Sequence, residues 1–190
     1  MTSTQPQQGQ TSPANESGSG IAHLRQVALS FFEHERLTTP DMSGSYPWSV
    51  VVNLHSRRFV REGKSGPMVG GYGLTGTRNN SNVAARGLIQ LDIDSEGEKD
   101  KSSGRMIKIS RRAPELDAIR SIIAKFEWIA NSTHWHEPGI GAVKYRVTML
   151  PDRDFLPDEQ EPLLEALDEL LGGCLDRAAW PDDDSGVGVA

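Results

Sequence analysis

The run Leu88-Ile89-Gln90-Leu91-Asp92-Ile93-Asp94 is apolar and closes on two carboxylates one residue apart. In an extended chain side chains alternate between faces, so Ile89, Leu91 and Ile93 point to one side and Gln90, Asp92 and Asp94 to the other. Two carboxylates about 6–7 Å apart on one face of a sheet suit a hard divalent cation with oxygen ligands. Enzymes that move phosphoryl or nucleotidyl groups with metal ions share that arrangement. The plainer reading is a strand that runs into an acidic turn, since Ser95-Glu96-Gly97-Glu98-Lys99-Asp100 follows at once.

Four further groups of residues could act with the aspartates. In Asn131-Ser132-Thr133-His134-Trp135-His136 an extended chain puts Ser132, His134 and His136 on one face. Imidazoles at i and i+2 can share a metal or contact a phosphate, or simply bond to carbonyls at a polar strand end. In Lys144-Tyr145-Arg146, Lys144, Arg146 and Thr148 share a face opposite Val143, Tyr145, Val147 and Met149. An arginine there can hold a phosphate through two parallel bonds, although surface charge is the commoner role. Arg78 opens a donor-rich loop, Arg78-Asn79-Asn80-Ser81-Asn82, that also reads as an ordinary polar turn. Asp176, in Cys174-Leu175-Asp176, is a third carboxylate able to reach a cation, or one acid among many near an acidic tail.

These groups need elements to position them. Leu24, Val27, Ala28, Phe31 and Phe32 recur at helical spacing, which predicts a helix over Ile21–Leu37 that Thr38-Thr39-Pro40-Asp41 stops. Trp48–Val60 reads as β-rich, with Val50, Val52 and Leu54 alternating, and Gly63–Gly76 as a loop. Met106–Ile109 reads as a short strand or the lead-in to a helix. Pro114–Phe126 carries Leu116, Ile119, Ile122, Ile123 and Phe126 on one stripe, with Pro114 suited to a first turn. Glu127–Ser132 and Val143–Leu150 read as strands. Asp158–Leu171 reads as an amphipathic helix with Leu163, Leu164, Leu167, Leu170 and Leu171 inward, Asp158 and Glu161 at its start and Gly172-Gly173 at its stop. Helices and strands mix without strict alternation, so the fold class expected is α+β and not a doubly wound parallel sheet.

Size and composition set bounds. The chain has 190 residues, which fits one domain plus tails. Residues 1–20 are rich in Gln, Ser, Thr and Gly and read as a disordered tail, 21–180 as the domain, and 181–190 as a disordered acidic tail. A lone Cys174 rules out an internal disulfide and a cysteine-based zinc site. No stretch suits a membrane span, and no charged start followed by an apolar run marks a secretory signal. A soluble, cytoplasmic protein is expected. The net charge of −6 argues against a tight structural coat on DNA but not against a local basic groove, because the acid gathers in Asp152–Glu169 and Asp182-Asp183-Asp184.

Over Val50–Trp180 the ordered set resembles the archaeo-eukaryotic primase superfamily, and more narrowly the primase-polymerase domains of phage and plasmid replication proteins. The resemblance rests on Leu91-Asp92-Ile93-Asp94, Ser132-Thr133-His134, Lys144-Tyr145-Arg146-Val147 with Leu150-Pro151-Asp152-Arg153, and Leu175-Asp176, with Arg78–Val83 ahead of the acidic strand. It implies a single compact α+β domain whose RNA-recognition-like palm sheet has helices on one face and an open polar site on the other. It also implies that Asp92, Asp94 and Asp176 hold Mg²⁺ or Mn²⁺ while Ser132 and His134, or His136 in the alternative alignment, contact nucleotide phosphates. Lys144, Arg146 and Arg78 are further candidates for phosphate or template backbone. The partners implied are a DNA template, nucleoside triphosphates and a separate replicative helicase, with no membrane.

Two other readings stand beside template-directed nucleotidyl transfer. One is a rolling-circle initiator endonuclease, with His134-Trp135-His136 on a metal and Tyr145 as nucleophile. The other is a replication-associated DNA-binding module that keeps the palm and lacks catalysis.

Overall fold

A computed structural model describes residues 24–57, 66–133, 136–176 and 180. The two expected tails, and His134 with Trp135, lie outside the described residues. In chain order the elements are β1 (Gln26–Phe32), β2 (Met42–Pro47), α1 (Trp48–Ser56), β3 (Met68–Gly70), β4 (Tyr72–Leu74), β5 (Val83–Arg86) and β6 (Ile89–Asp94). They continue with β7 (Glu96–Lys99), β8 (Met106–Arg111), α2 (Leu116–Ile122), β9 (Glu127–Ser132), β10 (Lys144–Leu150) and α3 (Gln160–Leu170). The fold is α+β, and all its strand pairs among the described residues are antiparallel.

Three N-terminal expectations are overturned. Residues 26–32 form β1, not a helix: β2 and β3 pair with its two edges, and side chains on both its faces are buried. Val27 and Leu29 pack with Trp48 and Val51, while Phe32 packs with Tyr72 and Val83 on the other side. Apolar residues on both faces erase the alternation of a one-sided strand and imitate helical spacing. Conversely, Trp48–Ser56 is helical despite three adjacent valines of modest helix propensity. Trp48 and Val51, one turn apart, are 2% and 1% exposed. Burying two such side chains contributes about 1.5–3 kcal/mol each, enough to override propensity. The glycine-rich stretch likewise contains β3 and β4.

The C-terminal half holds the aspartates. β10 pairs with β6 on one side and β9 on the other, and the bridge Ile93↔Leu175 adds a short edge segment beyond β6. Across the sheet the order is therefore 174–176, β6, β10, β9. Ile89, Leu91 and Ile93 of β6 and Val147 and Met149 of β10 share a core with Ile119, Ile123, Leu164, Leu167 and Leu171, so α2 and α3 lie on one face. α3 begins later than expected: a 3₁₀ turn, Pro157–Glu159, precedes it, and the Glu159 carboxylate accepts from the Leu156 N–H at 2.8 Å. Leu170 is 63% exposed, because residues 164, 167 and 171 define the inward stripe. α2 stops at Ile122, which leaves Phe126 beyond it and 46% exposed. Gly172 and Gly173, with φ of +78° and +73°, take the left-handed turn that ends α3.

β7 and β8 form a hairpin that leaves β6 immediately after Asp94. Two register shifts interrupt it, and at Gly97 a Cβ would stand 1.9 Å from the Lys108 carbonyl oxygen. Only glycine allows the two strands to approach so closely.

Candidate acidic site on the central sheet

Cross-strand register decides which side chains meet, because directly opposed residues share a face. Arg146 stands between Asp92 on β6 and Asn131 on β9. Beyond Asp92 the Asp176 N–H donates to the Asp92 carbonyl oxygen at 2.8 Å. One row thus runs Asn131, Arg146, Asp92, Asp176. In the next row Lys144 opposes Asp94, and the Asp94 N–H donates to the Cys174 carbonyl at 3.4 Å.

The sequence candidates divide accordingly. Asp92, Asp94, Asp176, Lys144 and Arg146 come together. Ser132 does not join them: it opposes Tyr145, which opposes Ile93, so it belongs to the helix-covered side. Asn131 takes its place toward the aspartates, one residue out of step with the expected pattern. His136 lies past the end of β9 with its ring 4.8 Å from that of Tyr145 and its Nδ1 3.1 Å from the Lys144 main chain. Arg78 is in the N-terminal half, 5.4 Å over the Phe32 ring, with Nη1 3.4 Å from Met68 Sδ.

Both β6 aspartates are ion-paired. Arg146 grips Asp92 with two parallel bonds, Nε to Oδ1 and Nη2 to Oδ2, both 2.8 Å. Lys144 forms an ion pair with Asp94, and its side chain is 11% exposed. Burial pulls the Arg146 guanidinium down, but the Asp92 hydrogen bond and the charges of Asp92 and Asp94 outweigh it and hold it above its usual value. The same sheet face is covered at the far end of β9, where Asn131 Nδ2 donates to the His55 carbonyl of α1 at 3.0 Å. At the aspartate end a cavity of about 180 Å³ remains, lined by Asp94, Ser95, Glu96, Gly97, Lys99, Leu175 and Asp176. The open polar face is therefore half of the sheet rather than all of it.

Carboxylate oxygens at the edge of a cavity are the donor set that Mg²⁺ or Mn²⁺ prefers. Among the described residues, however, no group of three His, Cys, Asp or Glu side chains already stands in position around a common ion. Lys144 and Arg146 supply the positive charge instead. The donors fit a divalent cation by chemistry, and taking one up requires Lys144 to release Asp94.

Two residues that support this arrangement were not singled out in the sequence. Asp168 of α3 is 3% exposed, and its Oδ1 accepts the Leu175 N–H at 2.9 Å, fixing the segment that carries Asp176. A carboxylate inside the leucine stripe of α3 was the available signal. Ser95, 2% exposed, donates to the Gly141 carbonyl at 3.0 Å and accepts from the Ala113 and Val143 N–H groups at 3.1 Å each. It ties the end of β6 to the chain entering β10, and nothing in its sequence context marks it.

Comparison of the chain with protein-family models, with curated proteins and with solved structures finds no match in any of the three. No helix among the described residues is long and apolar enough to cross a membrane.

Proposed function

We propose that the chain is a metal-dependent nucleotidyl transferase of the primase-polymerase type, acting on a DNA template and nucleoside triphosphates in phage or plasmid replication. The observation that carries this reading is the pairing of 174–176 with β6, which aligns Asp176 with Asp92 although 84 positions separate them. Apart from the β7–β8 hairpin inserted after β6, the order β6–α2–β9–β10–α3–edge segment, with the edge segment beside β6 and β10 between β6 and β9, supports this reading, because a split βαβ sheet follows that order. An RNA-recognition-like palm has the same plan.

In this reading Asp92, Asp94 and Asp176 hold the divalent cations, which when bound would favour deprotonation of the attacking 3′-hydroxyl and offset charge on the triphosphate. Arg146 keeps the Asp92 carboxylate oriented. Lys144, once exchanged off Asp94, is the flexible point charge best placed for the nucleotide phosphates. Asn131, braced by His55, borders the same row on β9. A replicative helicase acting in trans is a partner consistent with this role, and the cytoplasm is its natural location.

The experiment is Mn²⁺ titration of the purified chain together with nucleotide incorporation on a primed DNA template. Incorporation lost in Asp92→Ala and Asp176→Ala, with Mn²⁺ binding weakened in both, supports the proposal. A chain that neither binds Mn²⁺ nor extends a primer overturns it. The non-catalytic module is the second reading, favoured by the Lys144 and Arg146 ion pairs that already neutralise both β6 aspartates. The rolling-circle reading is weaker: Tyr145 opposes Ile93 and Ser132, on the helix-covered side of the sheet and away from the aspartates.

A further inference from the structure

The β7–β8 hairpin is the basic exception in an acidic chain. Between Glu96 and Arg112 there are six Lys and Arg against three Asp and Glu, whereas the whole chain carries 20 against 26. Two of the three acids of the hairpin are used within it, and the third, Glu98, opposes Lys108 across the strands. Glu96 is ion-paired with Arg111. Asp100 Oδ1 accepts from the N–H and hydroxyl groups of both Ser102 and Ser103 at 2.6–3.1 Å, which organises the tip and turns that charge inward. Among the described residues Lys99, Lys101, Lys108 and Arg112 stand outside the ion pairs.

The placement of these charges points to a ligand. Lys99 lines the cavity that also holds Asp94 and Asp176. Along β8 a shallow groove of about 500 Å³ is lined by Ile107, Ile109 and Ile140 with Lys108 and Arg112 among its walls. Ile107 and Ile140 are 62% and 54% exposed. A cationic rim beside a small apolar floor matches a sugar–phosphate backbone, which presents charge and sugar edges together. Aromatic side chains are absent from this lining, so stacking on unpaired bases is not what it offers.

We infer that the β7–β8 hairpin is a docking surface for the phosphate backbone of duplex nucleic acid, contacted by Lys99, Lys101, Lys108 and Arg112. The duplex lies along β8 and directs its end toward the cavity at Asp94 and Asp176. This rests on the nucleotidyl-transfer reading for what the duplex does there, though not for its binding.

The test measures binding of a fluorescein-labelled primer–template duplex by anisotropy across a series of salt concentrations. Two exposed double variants are used, Lys99→Gln with Lys101→Gln and Lys108→Gln with Arg112→Gln, each checked for an unchanged thermal midpoint. Each is expected to weaken binding equally for unrelated duplex sequences and to reduce the slope of log K against log salt by about 2. Mn²⁺ titration of the Lys108→Gln, Arg112→Gln variant is expected to match the parent, because neither residue lines the cavity at Asp94 and Asp176. The inference is overturned if the parent does not bind the duplex, if both variants keep its affinity and slope, or if vesicles of anionic phospholipid are bound in preference to DNA. Asp92→Ala separates the two ideas, because it should lose Mn²⁺ affinity and keep the duplex. Duplex binding through the hairpin in a parent that never binds Mn²⁺ would remove the enzymatic reading and leave this surface standing.

Discussion

The Asp176 N–H donates to the Asp92 carbonyl oxygen at 2.8 Å, so the third carboxylate reaches the first through the main chain rather than through chance proximity of side chains. That contact is itself held from behind. Asp168 accepts the N–H of the preceding residue, Leu175, at 2.9 Å from within the helical layer.

Asp168→Ala leaves the Leu175 N–H without this buried acceptor, at a cost of about 1–3 kcal/mol. Urea unfolding is expected to register that loss, and Mn²⁺ affinity to fall although Asp176 is intact. Asp168→Asn retains an acceptor oxygen and is expected to restore much of both. Equal Mn²⁺ affinity in parent and alanine variant would show that the edge segment needs no such anchor.

Lys144 competes with any divalent cation for Asp94. In Lys144→Met the competitor is gone, and Mn²⁺ is expected to bind about tenfold more tightly, equivalent to about 1.4 kcal/mol. Triphosphate affinity is expected to move the other way. Calorimetric titration of both ligands checks the pair of outcomes, and a weaker Mn²⁺ interaction in the variant contradicts the exchange.

The Arg146–Asp92 pair is bidentate and more than half buried, with 32% and 17% of the side chains exposed. A double-mutant cycle with Arg146→Met and Asp92→Asn is expected to yield a coupling of about 1–3 kcal/mol in unfolding free energy. Arg146→Lys keeps the charge and loses the fork, so it is expected to recover only part of it.

Ser95→Ala deletes one donor and one shared acceptor at a buried junction of three chain segments. A loss of about 2–4 kcal/mol is expected, on the cost of leaving buried partners unsatisfied. Ser95→Thr keeps the hydroxyl at a position that borders the cavity of about 180 Å³ and is expected to recover part of the loss.

Acid stability carries a signature of Glu159. The hydrogen bond from Arg153, with the Leu156 N–H and the Arg153 charge, brings its carboxyl from 4.5 down to about 2. A carboxyl lowered by folding contributes stability above its unfolded value, and that contribution disappears as pH falls toward the folded one. Glu159→Gln is therefore expected to be less stable than the parent near neutrality, to converge with it in acid, and so to flatten the pH dependence of unfolding between about 4.5 and about 2.

The C-terminal half was legible because α2 and α3 cover one face of β6 and β10 while the opposite face stays open at the aspartate end. Alternation in Ile89–Asp94 and in residues 144–149 separated Ile89, Leu91, Ile93, Val147 and Met149, which enter the helix-covered core, from Asp92, Asp94, Lys144 and Arg146 on the other face. The limits of strand β9 were equally plain, yet its pairing was not. Which of Asn131 and Ser132 faces Asp92 depends on a cross-strand register that no periodicity within β9 encodes. The N-terminal half misled for the opposite reason: β1 is buried on both sides, and α1 is helical through what it packs against. Neither cause leaves a trace in a short window of sequence.

The outer side of β6 has a consequence beyond chemistry. Left bare, it would offer a row of unpaired N–H and carbonyl groups on which the strand of a second molecule could add itself. Residues 174–176 occupy that position, so the peptide that completes the acidic cluster also keeps one molecule from zipping onto the next. Damage to it should be read first in light scattering, as self-association, before any change in chemistry is looked for.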